Sequence, residues 1–359
     1  MKKIYYIAVV FAILFLAGCG DGIDLPGVNV ETDLNKIPLP DNNVNLEQVE
    51  LKPSTEPMLH EGLHTEEDFQ RIRDKKAAGE EPWVSAYQLL VESQFSQKTA
   101  DTYPTEWIKR GVSGDENYMN AARGATIAYQ QALRWKIEQD DEYAAKAVEN
   151  LNKWVQTCVG VTGNTNLSLA AGLYGYEFAI AGELLRDYEG WDRADFAAFQ
   201  NWLLKVFYPA NDDFLKRHHD TNALHYWANW CLCNIAAKMA IGIVTDRRDI
   251  YNEGIGHLQT GDTNGRLRRA IYHDYAPDYN FAQWQESGRD QGHTLMCVGL
   301  MGVICQLAWS QGDDFFAYDD NLFMRACEYA ACCNYTNETV PYTTYIWQKQ
   351  SQWGYPIPE

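Results

Sequence analysis

The stretch from Gln283 to His293, QWQESGRDQGH, concentrates side chains that could carry chemistry. Arg289 offers a planar fork of donors that suits a carboxylate, and histidine is the usual proton carrier near neutral pH. Glu286 and Asp290 would orient these two side chains. An apolar run, TLMCVGLMGVICQLAW, follows directly. The polar group therefore lies at the start of a core helix, where its side chains need hydrogen-bond partners. We interpret it as a functional site; the alternative is a buried salt-bridge network that only fastens the helix.

A second polar group is NALHYWANW, which runs from Asn222 to Trp230. If a helix starts here, three- and four-residue spacing places Asn222, His225 and Asn229 near one face, together with Tyr226. Such a polar stripe on a buried helix is costly unless it binds something. For any single residue, a helix cap or a neutral core histidine is the simpler interpretation. Taken together, the residues predict a binding site.

Tyrosines form a third group, in the segment YHDYAPDYN that begins at Tyr272 and includes Tyr279. Tyrosine can transfer a proton when cationic neighbours lower its pKa, and it also stacks on sugar rings. Packing explains an aromatic loop equally well. The segment directly precedes QWQESGRDQGH, so the two could share one site.

The elements that must position these residues are helices. From Asn117 onward, segments with apolar residues at three- and four-residue spacing alternate with short polar breaks, and strand-like alternation is nearly absent. Segments such as CNIAAKMAIGIV are apolar on more than one face, which predicts an inner layer covered by other helices. We predict an all-α fold, an incomplete (α/α) toroid with a cleft at one end. A plain helical bundle or a solenoid is the alternative.

The beginning of the chain predicts export. Residues 1–19 combine Lys2 and Lys3 with an apolar stretch and the sequence LAGC, which resembles a bacterial lipobox with Cys19 as the lipidated residue. An ordinary cleaved signal or a membrane anchor is the alternative. Residues 20–57 have the composition of a flexible tether, and residues 58–359 form the toroid domain. We therefore expect an exported protein, lipid-anchored to the bacterial membrane in the periplasm or at the cell surface.

Charge and cysteine usage narrow the possible functions. The net charge of −19 argues against a nucleic-acid partner. Eight cysteines follow Cys19, and several lie in apolar helical patterns, so most are predicted to be small buried hydrophobes. Neither they nor the adjacent His218 and His219 have metal-site spacing, so no metal or cofactor is expected. Calcium on Asp313 and Asp314 is the open alternative.

Longer segments resemble a known family. HYWANWCLCNIAAKMAIGIVTDRRDIYNEGI, AQWQESGRDQGHTLMCVGLMGVICQLAWSQGDD, YDDNLFMRACEYAACCN and VPYTTY resemble the alginate-lyase superfamily of polysaccharide lyases, in particular the group near polysaccharide lyase family 38. The likeness covers about residues 58 to 345, and QESGRDQGH is its most specific part. It implies an (α/α) toroid that cleaves a uronic-acid polymer, alginate or glucuronan, by β-elimination. Members of the group continue beyond VPYTTY, so this toroid is expected to lack its last helices.

The resemblance also implies roles for residues. β-Elimination needs a neutralised uronate carboxylate, a base for the C5 proton and an acid for the leaving C4 oxygen. Arg289 and Asn229 would bind and neutralise the carboxylate, with His225 beside them as a neutraliser or base.

The tyrosine that transfers the proton is harder to assign. The spacing of arginine and tyrosine in more distant alginate lyases does not map onto this chain, because no tyrosine closely follows Arg289. Tyr279 is the first candidate and Tyr272 the second, with His293 sharing the task. Further residues are expected to contact the sugar: Asn222, Tyr226, Trp230, Arg123, Tyr176, Gln285 and Glu286.

Two other functions stay open on the sequence. A hydrolase on a similar scaffold would use two carboxylates, such as Glu286 with Asp274 or Asp314. A non-catalytic surface lipoprotein that binds glycans would account for the 12 Trp and 22 Tyr residues. For the lyase we expect an acidic polysaccharide as partner, a local basic cleft supplied by Arg289, Arg123, Arg217 and the histidines, and a monomer or dimer.

Overall fold

The computed structural model describes residues 54–335 and 340–343. The predicted signal peptide, Cys19 and nearly all of the predicted tether lie outside these residues, so they stay predictions from the sequence.

Helices dominate the described part of the chain. They are α1 (Glu66–Ala77), α2 (Trp83–Glu92), α3 (Tyr118–Glu138), α4 (Asp141–Thr157), α5 (Leu167–Leu184), α6 (Arg193–Val206), α7 (Tyr208–Arg217), α8 (Ala228–Val244), α9 (Arg248–Thr260), α10 (Leu267–Ala270), α11 (Gln291–Ser310) and α12 (Tyr318–Tyr335). Short strands accompany them: β1 (Trp107–Arg110) pairs in parallel with β2 (Gly160–Gly163), and β3 (Ile271–Asp274) pairs antiparallel with β4 (Ala282–Trp284). The predicted all-α class is confirmed.

Four helices, α3, α5, α8 and α11, form an inner layer in which each packs on the next. Every residue of α8 is buried, which fits its apolar residues on all sides. Outer helices cover this layer: α4 packs on α3, α9 and α7 pack on α8, and α12 packs on α11. By length and composition α11 could span a membrane, yet 56% of its apolar window is buried inside the fold.

The inner helices run parallel. Near their N-terminal ends, Gly172 of α5 lies against Cys233 of α8. Beyond their C-terminal ends, Arg186 donates to the Val244 carbonyl oxygen at 2.9 Å. One aromatic ring contact joins the N-terminal parts of α3 and α5 and another joins the region of their C-terminal ends, so these two helices are parallel as well. At the start of α8, Asn229 is hydrogen-bonded to Glu286, which lies just before α11. The four N-terminal ends therefore gather at one end of the molecule, with their positive dipole ends together.

The prediction that a helix begins at Asn222 is wrong. α8 begins at Ala228, and the preceding residues form a turn in which Asn222 Oδ1 accepts the Leu224 N–H at 2.8 Å. The His225 N–H donates to the Asn222 carbonyl oxygen at 2.9 Å. This local side-chain bond competes with helical pairing. Asn222, His225 and Asn229 therefore do not share one helical face.

The eight cysteines among the described residues form no disulfide there, and six of them are buried. Burial raises the pKa of the Cys231 thiol to about 12 and that of Cys158 to about 11. They act as small apolar side chains, which confirms the prediction for most of them.

A carboxyl group is held inside the inner layer. Glu177 lies on α5 between the buried residues Tyr176 and Phe178, and its Oε2 atom is buried without a hydrogen bond to any residue that the structure describes. Burial raises the pKa of Glu177 to about 8, although the hydrogen bond with Tyr176 acts in the opposite direction. The folded protein therefore holds Glu177 protonated at pH values where an exposed glutamate is ionised.

The approach of α5 to α8 requires a glycine. A Cβ atom at Gly172 would lie 2.5 Å from Cys233 Sγ and 2.9 Å from its carbonyl carbon, whereas a Cβ at Gly256 of α9 meets nothing within 4 Å. We expect G172A to lower the free energy of unfolding by about 1–2 kcal/mol, because overpacking outweighs the better helix propensity of alanine. G256A is the matched control and should raise the free energy of unfolding by up to about 1 kcal/mol. Equal effects in urea denaturation would contradict the tight helix contact.

Glu177 should make stability depend on pH. As pH rises from 4.5 to about 8, the unfolded state loses its proton while folded Glu177 keeps it, so the free energy of unfolding should fall across this window. E177Q should remove that part of the pH dependence, and E189Q, which changes an exposed glutamate, should not. Identical pH profiles of urea midpoints for wild type and E177Q would contradict the assignment.

Candidate active site

The N-terminus of α8 is capped by a distant part of the chain. Trp227 occupies the N-cap position without a capping side-chain bond. Instead, the Ala228 N–H donates to Gln285 Oε1 at 2.9 Å, and the Asn229 N–H donates to Glu286 Oε1 at 3.0 Å. Helix N-termini need such acceptors because their first N–H groups have no partner within the helix. The cap joins residues 57 positions apart, so it forms only in the assembled fold.

Glu286 is the centre of this arrangement. Its side chain is fully buried, and Oε1 also accepts the Asn229 Nδ2–H at 2.8 Å. Its other oxygen, Oε2, makes no hydrogen bond to any described residue and lies 3.9 Å from Arg289 Nη1. Burial raises the pKa of Glu286, and the charges of Arg289 and His293 only partly offset this effect.

Arg289 presents donors that the described residues do not use. It is 8% exposed, and Nη1 is buried without a hydrogen bond to any residue in the described part of the chain. The guanidinium lies 5.9 Å from the ring centre of Trp227, and Nε lies 3.9 Å from Asp290 Oδ2. Asn229 Oδ1 is likewise buried, with no partner among the described residues. Unsatisfied polar atoms of Glu286, Arg289 and Asn229 therefore meet in one place, which points to a bound ligand or solvent.

His293 and Asp290 form a second pair beside them. His293 Nδ1 lies 2.6 Å and 2.8 Å from the two carboxylate oxygens of Asp290, and the His293 N–H donates to Asp290 Oδ1 at 2.8 Å. Asp290 is thus both the N-cap of α11 and the partner of the imidazole ring. With the Nδ1 proton directed at Asp290, Nε2 is the nitrogen that can exchange a proton. Burial raises the pKa of Asp290, but the hydrogen bonds from His293 together with the charges of His293 and Arg289 outweigh burial and lower this pKa overall.

His225 lies in the turn before α8. It is half-buried and contacts the Tyr226 ring edge-on at 4.9 Å, and burial lowers its pKa. Its imidazole is therefore neutral at pH 7 and can donate or accept a hydrogen bond. Tyr226 and Trp230 are buried against each other and against Phe214, so both rings pack in the core beneath the turn.

The two candidate tyrosines have different surroundings. Tyr272 on β3 is 2% exposed, and its hydroxyl donates to the Thr343 carbonyl oxygen. Tyr279 is 52% exposed on the loop between β3 and β4, where it stacks on Phe281. No contact within the described residues joins either hydroxyl to Arg289, so their catalytic roles stay predictions.

Another tyrosine touches the site and was missed by sequence reasoning. The Tyr342 hydroxyl donates to the Ser287 carbonyl oxygen at 3.0 Å, in the turn that carries Glu286. Thr343 is held next to it, since its N–H donates to Gln283 Oε1 at 2.8 Å. The signal was present in the segment VPYTTY, which carries part of the family resemblance.

Three other predicted residues make no contact with Arg289 among the described residues. Arg123 is exposed on α3, and Tyr176 is buried on α5, where burial raises its pKa well above the usual value. Arg217 pairs with Asp213 and Asp220 at the end of α7. Within the described residues no contact links these three to Arg289, and no group of three metal-ligating side chains occurs.

The hydrolase alternative receives little support from the geometry. Arg325 binds both carboxylate oxygens of Asp274, which fixes that group in an ion pair. Asp314 accepts the Ala317 N–H at 3.0 Å beyond the C-terminal end of α11, whereas Glu286 precedes its N-terminal end. A 20-residue helix is about 30 Å long, so Glu286 and Asp314 are too far apart to act as a pair.

Comparison with known proteins shows which family matches this sequence and which solved structures have a similar fold. The family model for alginate lyase matches residues 72–338. A histidine-to-alanine variant of alginate lyase A1-III complexed with tetrasaccharide has a similar fold, at 12% identity and a TM-score of 0.59, with 77% of this chain and 78% of that chain covered. No curated protein sequence matches the chain significantly.

Two further solved structures share the fold. Alginate lyase A1-III from Sphingomonas species A1 has a TM-score of 0.54 at 14% identity, with 77% of this chain and 80% of that chain covered. An alginate lyase from Bacteroides ovatus has a TM-score of 0.53 at 14% identity, with 78% and 84% covered. These likenesses confirm the (α/α) toroid. Because the family model covers well over half of the sequence, this chain belongs to the alginate lyase family and is a polysaccharide lyase.

Proposed function

We propose that this protein cleaves alginate by β-elimination at the site formed by the N-terminal ends of α8 and α11. One observation carries the proposal: buried polar atoms of Arg289, Glu286 and Asn229, which have no hydrogen-bond partner among the described residues, lie next to the His293–Asp290 pair. An acidic polysaccharide supplies what these atoms lack, because each residue of the polymer carries a carboxylate. The tetrasaccharide complex of alginate lyase A1-III, which has a similar fold, is consistent with a sugar polymer as ligand.

The residues divide the steps of the reaction among them. Arg289 binds the uronate carboxylate and, with Asn229, withdraws charge from it, which makes the C5 proton acidic. His293 accepts that proton at Nε2, and Asp290 stabilises the imidazolium that forms. The C5 electron pair then forms the double bond to C4 as the C4–O bond breaks. Neutral His225 stands beside the carboxylate as a further donor or as the base.

A tyrosine hydroxyl is proposed to protonate the leaving C4 oxygen. Tyr279 remains the first candidate because it is exposed on the β3–β4 loop, and Tyr272 is the second because its hydroxyl already donates to Thr343. The helix N-termini that surround the site favour a polyanion even though the whole chain carries a charge of −19.

The location of the reaction is proposed from the sequence alone. Export and lipid attachment at Cys19 would place the enzyme at the bacterial membrane, in the periplasm or on the cell surface, where polysaccharides are available.

Lyase activity is tested by the ultraviolet absorbance of the unsaturated product on polymannuronate, polyguluronate and polyglucuronate. We expect wild type to generate this absorbance on an alginate block, and R289A to lower kcat/KM by about 10²–10³-fold through loss of a buried donor. R247A is the control, since Arg247 is an exposed cation between α8 and α9 at the opposite end. Reducing sugar without the absorbance would indicate hydrolysis, and binding without turnover would indicate a glycan-binding protein.

The role of the His293–Asp290 pair is tested by D290N. Asparagine is a good N-cap, so α11 should stay capped and the free energy of unfolding should change by less than about 1 kcal/mol. Loss of the carboxylate that stabilises the imidazolium should lower kcat by about 10²-fold or more, and H293A should lower it at least as much. A D290N variant with wild-type kcat would show that His293 does not carry the proton.

A further inference from the structure

The turn that carries His225 is tied to a distant segment by the side chain of one asparagine. Asn264 lies in the loop between α9 and α10, and its Nδ2 donates to the Leu224 carbonyl oxygen at 3.0 Å and to the Tyr226 carbonyl oxygen at 2.8 Å. The two carbonyl groups flank His225 and lie 40 and 38 positions away from Asn264 along the chain. Carbonyl oxygens withdrawn from water need donors, so this amide fixes the backbone on both sides of His225.

The loop that carries Asn264 is itself held in place. Thr263 and Asn264 are each 3% exposed. Thr263 Oγ1 accepts the Gly265 N–H at 3.2 Å, and the Thr263 carbonyl oxygen accepts the Arg266 N–H at 3.1 Å. A Cβ atom at Gly265 would lie 2.5 Å from Cys231 Cβ, so the loop backbone lies directly against α8. The amide of Asn264 therefore has a fixed position relative to this inner helix.

The hydrogen bonds within the His225 turn are local. Asn222 Oδ1 accepts the Leu224 N–H at 2.8 Å, and the Asn222 carbonyl oxygen accepts the His225 N–H at 2.9 Å. Local bonds of this kind shape a turn, whereas contacts with distant segments decide how far it can move against the rest of the fold. The His225 ring rests edge-on against Tyr226, so a shift of the turn would change both the position and the exposure of the imidazole.

We propose that Asn264 is a positioning residue, which holds the imidazole of His225 at the site through the two carbonyl oxygens that flank it. The proposal rests on the function proposed above, in which His225 lies beside the substrate carboxylate. Asn264 acts only through His225 and does not itself contact the sugar. A reacting group displaced by about 1 Å can lower a rate by about 10²-fold, so a residue that fixes the turn matters for catalysis.

The titratable groups that face His225 are uncharged near neutral pH. Tyr226 lies next to it, and His218 faces it from the turn after α7. Burial lowers the pKa of His218 to about 4 and raises the pKa of Tyr226. Burial also lowers the pKa of His225 itself. A turn released by loss of the Asn264 amide would expose the His225 ring, and its pKa should then rise toward the ordinary value of 6.5.

Two substitutions of Asn264 test the proposal by kinetics. N264A removes both donors without adding charge, and N264D keeps the shape but turns an acceptor toward the two carbonyl oxygens. We expect each to lower kcat/KM on alginate by about tenfold to 10²-fold. Both effects should vanish in the H225A background, because Asn264 acts through that ring. An equal loss in both backgrounds is what a merely structural asparagine would give, and it would overturn the proposal.

Nuclear magnetic resonance of the His225 ring tests the same point without substrate. Its signal is assigned by its absence in H225A, and N264A should raise the pKa that this signal reports. N150A is the matched control: Asn150 is a buried asparagine of the outer helix α4 that donates to the Ala100 carbonyl oxygen at 3.3 Å, and its loss should leave the His225 pKa unchanged. A folded N264A with the wild-type His225 pKa would contradict the inference.

Circular dichroism melts check that each variant folds, and N264D still allows the kinetic comparison with H225A if N264A does not fold. The failure of this inference can be distinguished from the failure of the proposed function. An active wild type in which the Asn264 and His225 substitutions act independently would overturn the inference alone. A wild type inactive on every polyuronate would overturn the proposed function, and a raised His225 pKa in N264A would then still identify Asn264 as the residue that fixes the turn.

Discussion

The capping of α8 by the Gln285–Gly288 turn is the interaction on which the site depends. Two buried side chains, from Gln285 and Glu286, accept the first N–H groups of a helix that has no cap of its own. The same contact brings the start of α11 against the start of α8, and thereby places Arg289 and His293 beside Asn229. Helix capping and the proposed substrate binding therefore depend on neighbouring residues of the same turn.

The parallel inner helices explain how an acidic protein can receive a polyanion. Their N-terminal ends meet at one end of the toroid, and the partial positive charges of those ends add to the charge of Arg289. The local electrostatic potential at these helix ends, and not the net charge of −19 of the whole chain, determines which ligand binds there. Buried polar atoms of Arg289, Glu286 and Asn229 that have no partner among the described residues lie there, at the proposed position of the substrate carboxylate.

The sequence predicted the helical layers and the polar stretch well, because both are local patterns. Apolar residues on all sides of α8 indicated an inner helix, and QWQESGRDQGH indicated the polar group around Glu286 and Arg289. The helix start was misplaced because Asn222 forms a local turn that spacing cannot reveal. The capping role of Glu286 and the contact of Tyr342 with Ser287 were missed, since they join residues 57 and 55 positions apart.

A crystal structure of the H293A variant with an alginate tetrasaccharide tests the central claim most directly. The account predicts a uronate carboxylate oxygen within about 3.2 Å of Arg289 Nη1 at the N-terminal end of α8. A tetrasaccharide bound elsewhere, or Arg289 and Glu286 drawn together into a direct ion pair with the sugar excluded, would contradict it.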